Sequence, residues 1–171
     1  MKTEAYYQAY LSHNQISRRG LLRSLFSTGE PITDKNPLPR PPFAAREDLF
    51  SAACNGCGEC VSICPNGLIR LKQNRATLEI DYAPCDLCGK CAEACRTHAL
   101  HPSFKTDTFL RPQFSSDCLI KQQLSCTDCQ TICPQQAISA NLTVNNESCN
   151  GCGECKIACF ANAITLKIKT K

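Results

Sequence analysis

Apolar and polar positions alternate in three short regions of the chain. Leu68-Ile69-Arg70-Leu71 and Ala76-Thr77-Leu78-Glu79-Ile80-Asp81 flank Gln73-Asn74-Arg75, a pattern that predicts a β-hairpin. Ala137-Ile138-Ser139-Ala140 and Leu142-Thr143-Val144, turning at Asn141, predict its counterpart, and Ala163-Ile164-Thr165-Leu166-Lys167-Ile168 predicts a strand that closes the last sheet. Near the start the spacing changes. If residues 18 to 26 coil into a helix, Leu21, Leu22, Leu25 and Phe26 share one face, with Arg19 and Arg23 flanking it. Such a face suits docking on another protein or folding back on its own domain. Gly20 weakens the helix and Arg18 projects toward the apolar side, so both readings stay open.

Between this segment and the alternating regions, residues 31 to 42 hold five of the ten prolines: Pro31, Pro37, Pro39, Pro41 and Pro42. A run such as Asn36-Pro37-Leu38-Pro39-Arg40-Pro41-Pro42-Phe43 is not helical and reads as an extended tether. The first fifty residues contain no cysteine, whereas the remaining 121 contain all sixteen. The chain therefore divides into a tail and tether (1–50) and two cysteine-rich units (51–103 and 104–171).

Composition shows why the cysteines matter. They make up about 9% of the 171 residues; without them the 43% hydrophobic fraction falls to roughly a third, with no Trp and one Met. A conventional apolar core is hard to assemble from that, so bound metal or disulfides must help hold the fold. No stretch reaches the 18 or more apolar residues of a membrane span. The net charge of +4 comes from dispersed Lys and Arg among 15 acids and gives weak support to nucleic-acid binding. Ser17-Arg18-Arg19-Gly20-Leu21-Leu22-Arg23 is similar to a twin-arginine export signal. Ser24-Leu25-Phe26-Ser27-Thr28-Gly29-Glu30-Pro31 nevertheless supplies neither an apolar h-region nor a cleavage site, so the expected location is the cytoplasm.

The sixteen cysteines form four groups, each ending in C-x2-C-x3-C. They are Cys54-x2-Cys57-x2-Cys60-x3-Cys64-Pro65, Cys85-x2-Cys88-x2-Cys91-x3-Cys95, Cys118-x7-Cys126-x2-Cys129-x3-Cys133-Pro134 and Cys149-x2-Cys152-x2-Cys155-x3-Cys159. Thiolates at i, i+3 and i+6 on an open loop wrap three irons of a cubane, and a cysteine four residues later points to a neighbouring cluster. This is the bacterial-type 4Fe-4S ferredoxin spacing. Structural zinc favours separated C-x2-C pairs and has no use for a third cysteine at i+6, and disulfides between such close neighbours are strained.

Motifs one and three end in Cys-Pro while two and four do not, which groups the motifs in pairs. The loop Cys54-Asn55-Gly56-Cys57-Gly58-Glu59-Cys60 recurs letter for letter at residues 149 to 155. Pairing implies crossed ligation: Cys54, Cys57 and Cys60 with Cys95; Cys85, Cys88 and Cys91 with Cys64; Cys118, Cys126 and Cys129 with Cys159; and Cys149, Cys152 and Cys155 with Cys133. Seven residues rather than two separate Cys118 from Cys126, so Leu119 to Ser125 must bulge out and return. Cys118 is expected to be a ligand, giving four 4Fe-4S clusters; if it is instead a buried free thiol, there are three. His98 and His101, beside a turn at Pro102, read as a surface pair rather than a metal site. The expected fold is α+β: two tandem bacterial two-cluster ferredoxin-like units of short hairpins, cysteine loops and short helices, after a mostly extended N-terminal tail.

No H-E-x-x-H, G-x-S-x-G or phosphate loop is present, and clusters saturated by four thiolates leave no open iron for a substrate. The chain is therefore read as a non-enzymatic one-electron carrier. Each oxidised cluster with its thiolates carries about −2, so four take the chain from +4 to about −4.

Ser17-Arg18-Arg19-Gly20-Leu21-Leu22, then Arg40-Pro41-Pro42-Phe43, then four cysteine motifs with a stretched third spacing, together resemble the NapF family of ferredoxin-type proteins from bacterial periplasmic nitrate reductase systems. The resemblance spans nearly the whole chain. It implies a cytoplasmic protein that engages the precursor of the molybdenum-containing catalytic subunit (NapA-like) and assists its iron-sulfur or redox maturation before export. The rival reading is an electron-wire subunit permanently bound to a molybdoenzyme or hydrogenase, which would need long insertions for that interface.

Overall fold

The computed structural model of the chain describes residues 2–14 and 38–169. The expectations attached to Ser17, Arg18, Arg19, Leu21, Leu22, Leu25 and Phe26, and to Pro31 and Pro37, lie outside the described residues.

The first alternating region folds as β1 (Ile69–Lys72) and β2 (Arg75–Leu78), antiparallel, with Ile69 opposite Leu78 and Lys72 opposite Arg75. Gln73 and Asn74 join them at φ 51° and 57°, the left-handed geometry that matches the twist of paired strands. β2 is buried on both faces, at Ala76, Thr77 and Leu78 alike. The cause is the proline-rich segment lying along its free edge. Leu78 N–H donates to the Pro39 carbonyl at 2.8 Å and Arg40 Nη1 to the Ala76 carbonyl at 3.0 Å. Pro39 serves as acceptor only, so its missing N–H costs nothing there, and the strap protects an edge that would otherwise stay open.

The strap continues inward. Pro41 and Pro42 are fully buried, Ala45 N–H donates to the Ala99 carbonyl at 2.9 Å, and His101 N–H donates to the Phe43 carbonyl at 2.9 Å. From residue 38 onward the expected tether is thus part of the first unit, and the expected boundary after residue 50 falls inside a helix, Glu47–Ala53. A second departure from an extended tail is α1 (Glu4–Asn14), whose Leu11 is buried and whose Tyr7 packs on the first unit. With α1 numbered so, the helix Glu47–Ala53 is α2 and buries Leu49 and Phe50.

One short helix follows in each motif: α3 (Glu59–Ile63), α4 (Lys90–Glu93), α5 (Asp128–Thr131) and α6 (Glu154–Ile157). They pack in pairs, α3 on α4 and α5 on α6. In the second unit β3 (Leu110–Phe114) pairs antiparallel with β4 (Ile164–Ile168), Leu110 opposite Ile168 and Phe114 opposite Ile164. The expected closing strand is present, but its partner β3 was not anticipated. The expected hairpin at residues 137 to 144 shrinks to one bridge, Ile138 with Val144.

Apolar burial is unequal. The first unit packs Phe43, Leu49, Phe50, Leu68, Ile69, Leu78, Leu100 and Phe104 together, side chains that stabilise by about 1.5–3 kcal/mol each when fully buried. The second core contains Cys129, Ile138, Cys155 and Ile164, so half of its buried members are cysteine. Among the described residues no helix is long and apolar enough to cross a membrane.

Candidate metal centres

All sixteen cysteines are unpaired, and they line four separate cavities. The first holds Cys54, Cys57, Cys60 and Cys95, and the second Cys64, Cys85, Cys88 and Cys91. The third holds Cys118, Cys126, Cys129 and Cys159, and the fourth Cys133, Cys149, Cys152 and Cys155. Each cavity therefore takes three cysteines from one motif and the last cysteine of its partner motif.

The local sequence explains this placement. In three motifs a glycine at positive φ opens the short helix: Gly58 (φ 82°), Gly89 (φ 79°) and Gly153 (φ 88°), each two residues before Cys60, Cys91 or Cys155. The helix turns that third cysteine inward, and all three are buried. The fourth cysteine follows at the helix end and faces the other cavity. Gly56 has a separate role. A Cβ there would stand 2.7 Å from the Asn74 carbonyl oxygen, because the β1–β2 turn sits directly on the first cysteine loop. Asn74 Nδ2 donates to the Asn55 carbonyl at 3.2 Å across the same contact.

Cys118 lies at the wall of the third cavity, buried, despite its longer spacing. The intervening residues curl into a compact loop in which Gln122 N–H donates to the Cys118 carbonyl at 3.1 Å and Leu124 N–H to the Leu119 carbonyl at 2.9 Å. Leu119 and Ile120 then wall the cavity. In place of the glycine seen in the other motifs, Thr127 precedes this helix.

Burial controls the chemistry of the thiols. It pushes Cys60 up to about 11 and Cys91 up to about 12, with neighbouring cysteines adding to the effect. Cys85 rises to about 11 and Cys155 to about 12, again chiefly through burial. Cys149 is also pushed up by burial, an effect opposed by the Gly151 N–H and the Arg111 guanidinium. Without metal these are neutral thiols, and a bound cationic centre that takes them as thiolates must release protons.

The donor sets fit an iron-sulfur cluster rather than a single ion. Four thiols surround each cavity, yet among the described residues no three His, Cys, Asp or Glu converge closely enough to hold one metal ion. The last cysteines of three motifs already accept backbone hydrogen bonds at 3.4 Å, from Leu68 N–H to Cys64 Sγ, Leu100 N–H to Cys95 Sγ and Ala137 N–H to Cys133 Sγ. Such bonds orient and tune cluster ligands. His98 and His101 are placed elsewhere, half-buried under α1, with the Tyr7 ring stacked 3.6 Å from the His101 ring.

Two family profiles match the chain: a 4Fe-4S dicluster domain over residues 53–99 and an LdpA Fe-S cluster-binding domain over residues 124–169. Ferredoxin-type protein NapF of Escherichia coli is 30% identical, covering 87% of this chain and 93% of its own length. NapF of Haemophilus influenzae is 32% identical, covering 88% of this chain and 93% of its own length. The chain belongs to the NapF family of ferredoxin-type proteins. Another Haemophilus influenzae protein, itself uncharacterized, is 71% identical over 98% of this chain and 100% of its own length. No solved structure matches. As a NapF-family member the chain is a 4Fe-4S electron-transfer protein, with an iron-sulfur domain in each half. Spacing alone made the cysteines legible. The glycines that open α3, α4 and α6 carry a weaker sequence signal, Gly-Glu/Lys-Cys in three of the four motifs.

Proposed function

We propose that the chain holds four 4Fe-4S clusters, one in each cysteine-lined cavity, and that all sixteen cysteines are their ligands. The observation that carries this reading is the exchange of Cys64, Cys95, Cys133 and Cys159 between paired cavities. When bound, the clusters supply reversible one-electron carriage. The protein's own residues hold the thiolates, exclude water with walls such as Phe50 and Leu100, and donate N–H bonds to the sulfurs.

In the cytoplasm this carrier assists the iron-sulfur or redox loading of a periplasmic nitrate reductase catalytic subunit (NapA-like) before its export. The NapF relationship supports that client. One observation favours a second, related reading. Haemophilus influenzae has both a NapF at 32% identity and a separate relative at 71%, which supports a role beside NapF with a second oxidoreductase precursor as client.

Anaerobic capture of tagged full-length protein from the cytoplasmic fraction tests both readings by what co-purifies. The nitrate reductase precursor supports the first client and another cofactor-bearing precursor supports the second. A mature enzyme complex that retains the chain stoichiometrically would instead identify a permanent electron-wire subunit. Recovery of the chain from the periplasm would contradict the location.

A further inference from the structure

The two units meet through their cysteine loops. Cys85 N–H donates to the Cys152 carbonyl at 2.8 Å. Cys85 lines the second cavity and Cys152 the fourth, so one hydrogen bond joins a wall of one to a wall of the other. Side chains clasp this contact. Lys156 Nζ donates to the Ile80 carbonyl and to Asp81 Oδ1, the latter at 3.0 Å. Gly153 comes so close that a Cβ there would stand 2.5 Å from Ile80 Cγ2. Leu110, Leu166 and Ile168 of the β3–β4 sheet also pack against the core of the first unit.

Inside each unit the paired helices set the other neighbours. α3 carries Cys60 of the first cavity and packs on α4, which carries Cys91 of the second. α5 carries Cys129 of the third cavity and packs on α6, which carries Cys155 of the fourth. In space the cavities therefore run first, second, fourth, third, which is not their order in sequence.

We propose that the Cys85–Cys152 hydrogen bond is the electron junction between the two units, with Lys156 as its positioning residue, so that the chain is one continuous route with the first and third cavities at its ends. This rests on the assignment of the cysteines as cluster ligands. With the proposed centres bound, the path would run from Cys85 Sγ along its covalent bonds to the amide N–H, across one hydrogen bond to the Cys152 carbonyl, and on to Cys152 Sγ. No third residue is needed. With centres bound, one electron would cross, oxidising the donor centre and reducing the acceptor; no bond would be made or broken and no proton would move. Lys156, paired with Asp81 and bonded to the Ile80 carbonyl, clamps the two loops together and so keeps the Cys85–Cys152 hydrogen bond in place.

The test uses anaerobic full-length protein reduced with dithionite and read by low-temperature electron paramagnetic resonance, with iron and sulfide measured on each sample. The unmodified chain is expected to show spin-coupling broadening that Lys156→Glu and Asp81→Lys each narrow toward the sum of two independent two-cluster units, at unchanged iron. The double exchange Lys156→Glu/Asp81→Lys restores an opposite-charge pair and should restore the broadening. Identical spectra in all four proteins at full iron overturn the junction. If a single exchange loses iron, the double exchange decides: joint recovery of iron and broadening supports the junction, and no recovery overturns it. Zinc, or iron without sulfide, in the unmodified chain would remove the ligand assignment itself and the junction with it.

Discussion

Asp107, just before β3, and Arg111, within it, form a buried ion pair, 2% and 5% exposed. Arg111 Nη1 and Nη2 donate to the two carboxylate oxygens at 2.9 and 2.8 Å, and the spare donors reach the Leu110 and Asn146 carbonyls. Burial alone would lower the guanidinium, but the Asp107 hydrogen bonds outweigh it and hold Arg111 firmly charged. The pair stands beside Cys149 of the fourth cavity and ties the β3 segment to the loop before that motif. Arg111→Met removes the bidentate partner and leaves buried Asp107 with only the Phe109 N–H and the more distant Lys105, a loss of up to about 3 kcal/mol. It should appear as bleaching of visible absorbance at lower denaturant, and Asp107→Leu/Arg111→Met should recover most of the loss. Equal bleaching midpoints for the single variant and the unmodified chain would contradict this role. At this scale the sequence exposed the cysteines, because ligand spacing is local. It hid the ion pair, whose members stand among ordinary surface-type residues and are joined only by the fold.

Elements differ in legibility for physical reasons. The β1–β2 hairpin was readable because alternation and turn lie within ten consecutive residues, 69 to 78. At residues 139 to 143 side chains compete with the ladder: Ser139 Oγ donates to the Thr143 carbonyl at 3.1 Å and accepts from Thr143 N–H at 3.1 Å, which leaves a single bridge. β3 escaped notice because Pro112 interrupts its donors and its partner, β4, lies some fifty residues away. α1 shows no clean apolar stripe, and its place depends on rings supplied from afar: Tyr7 against His101 and Phe104, and Tyr10 against His98. Burial, aided by His98, holds His101 below its usual range. Docked α1 therefore favours neutral His101, and its stabilisation is complete above the unfolded value of about 6.5 and declines as pH falls through that value. Hydrogen exchange at α1 amides should accelerate on acidification below that point, and His101→Phe should flatten the response. An unchanged pH response in His101→Phe would assign it to another group.

Across the whole molecule, the exchange of cysteines between cavities would make each pair of proposed centres interdependent. Cys64 belongs to the first motif but lines the second cavity, with Cys85, Cys88 and Cys91. Cys64→Ala should therefore damage the centre of the second motif and spare that of Cys54, Cys57 and Cys60; spectra combining it with Cys88→Ala should show little further loss, since both changes strike one site. Additive, independent losses would mean self-contained motifs. The second unit, whose own packed cluster among the described residues is Cys129, Ile138, Cys155 and Ile164, should be the first to unfold when iron is removed. The most direct measurement is the iron and acid-labile sulfide content of anaerobically purified full-length protein. Four clusters held by sixteen cysteines give about 16 of each per chain. A value near 8, or zinc without sulfide, would contradict the account.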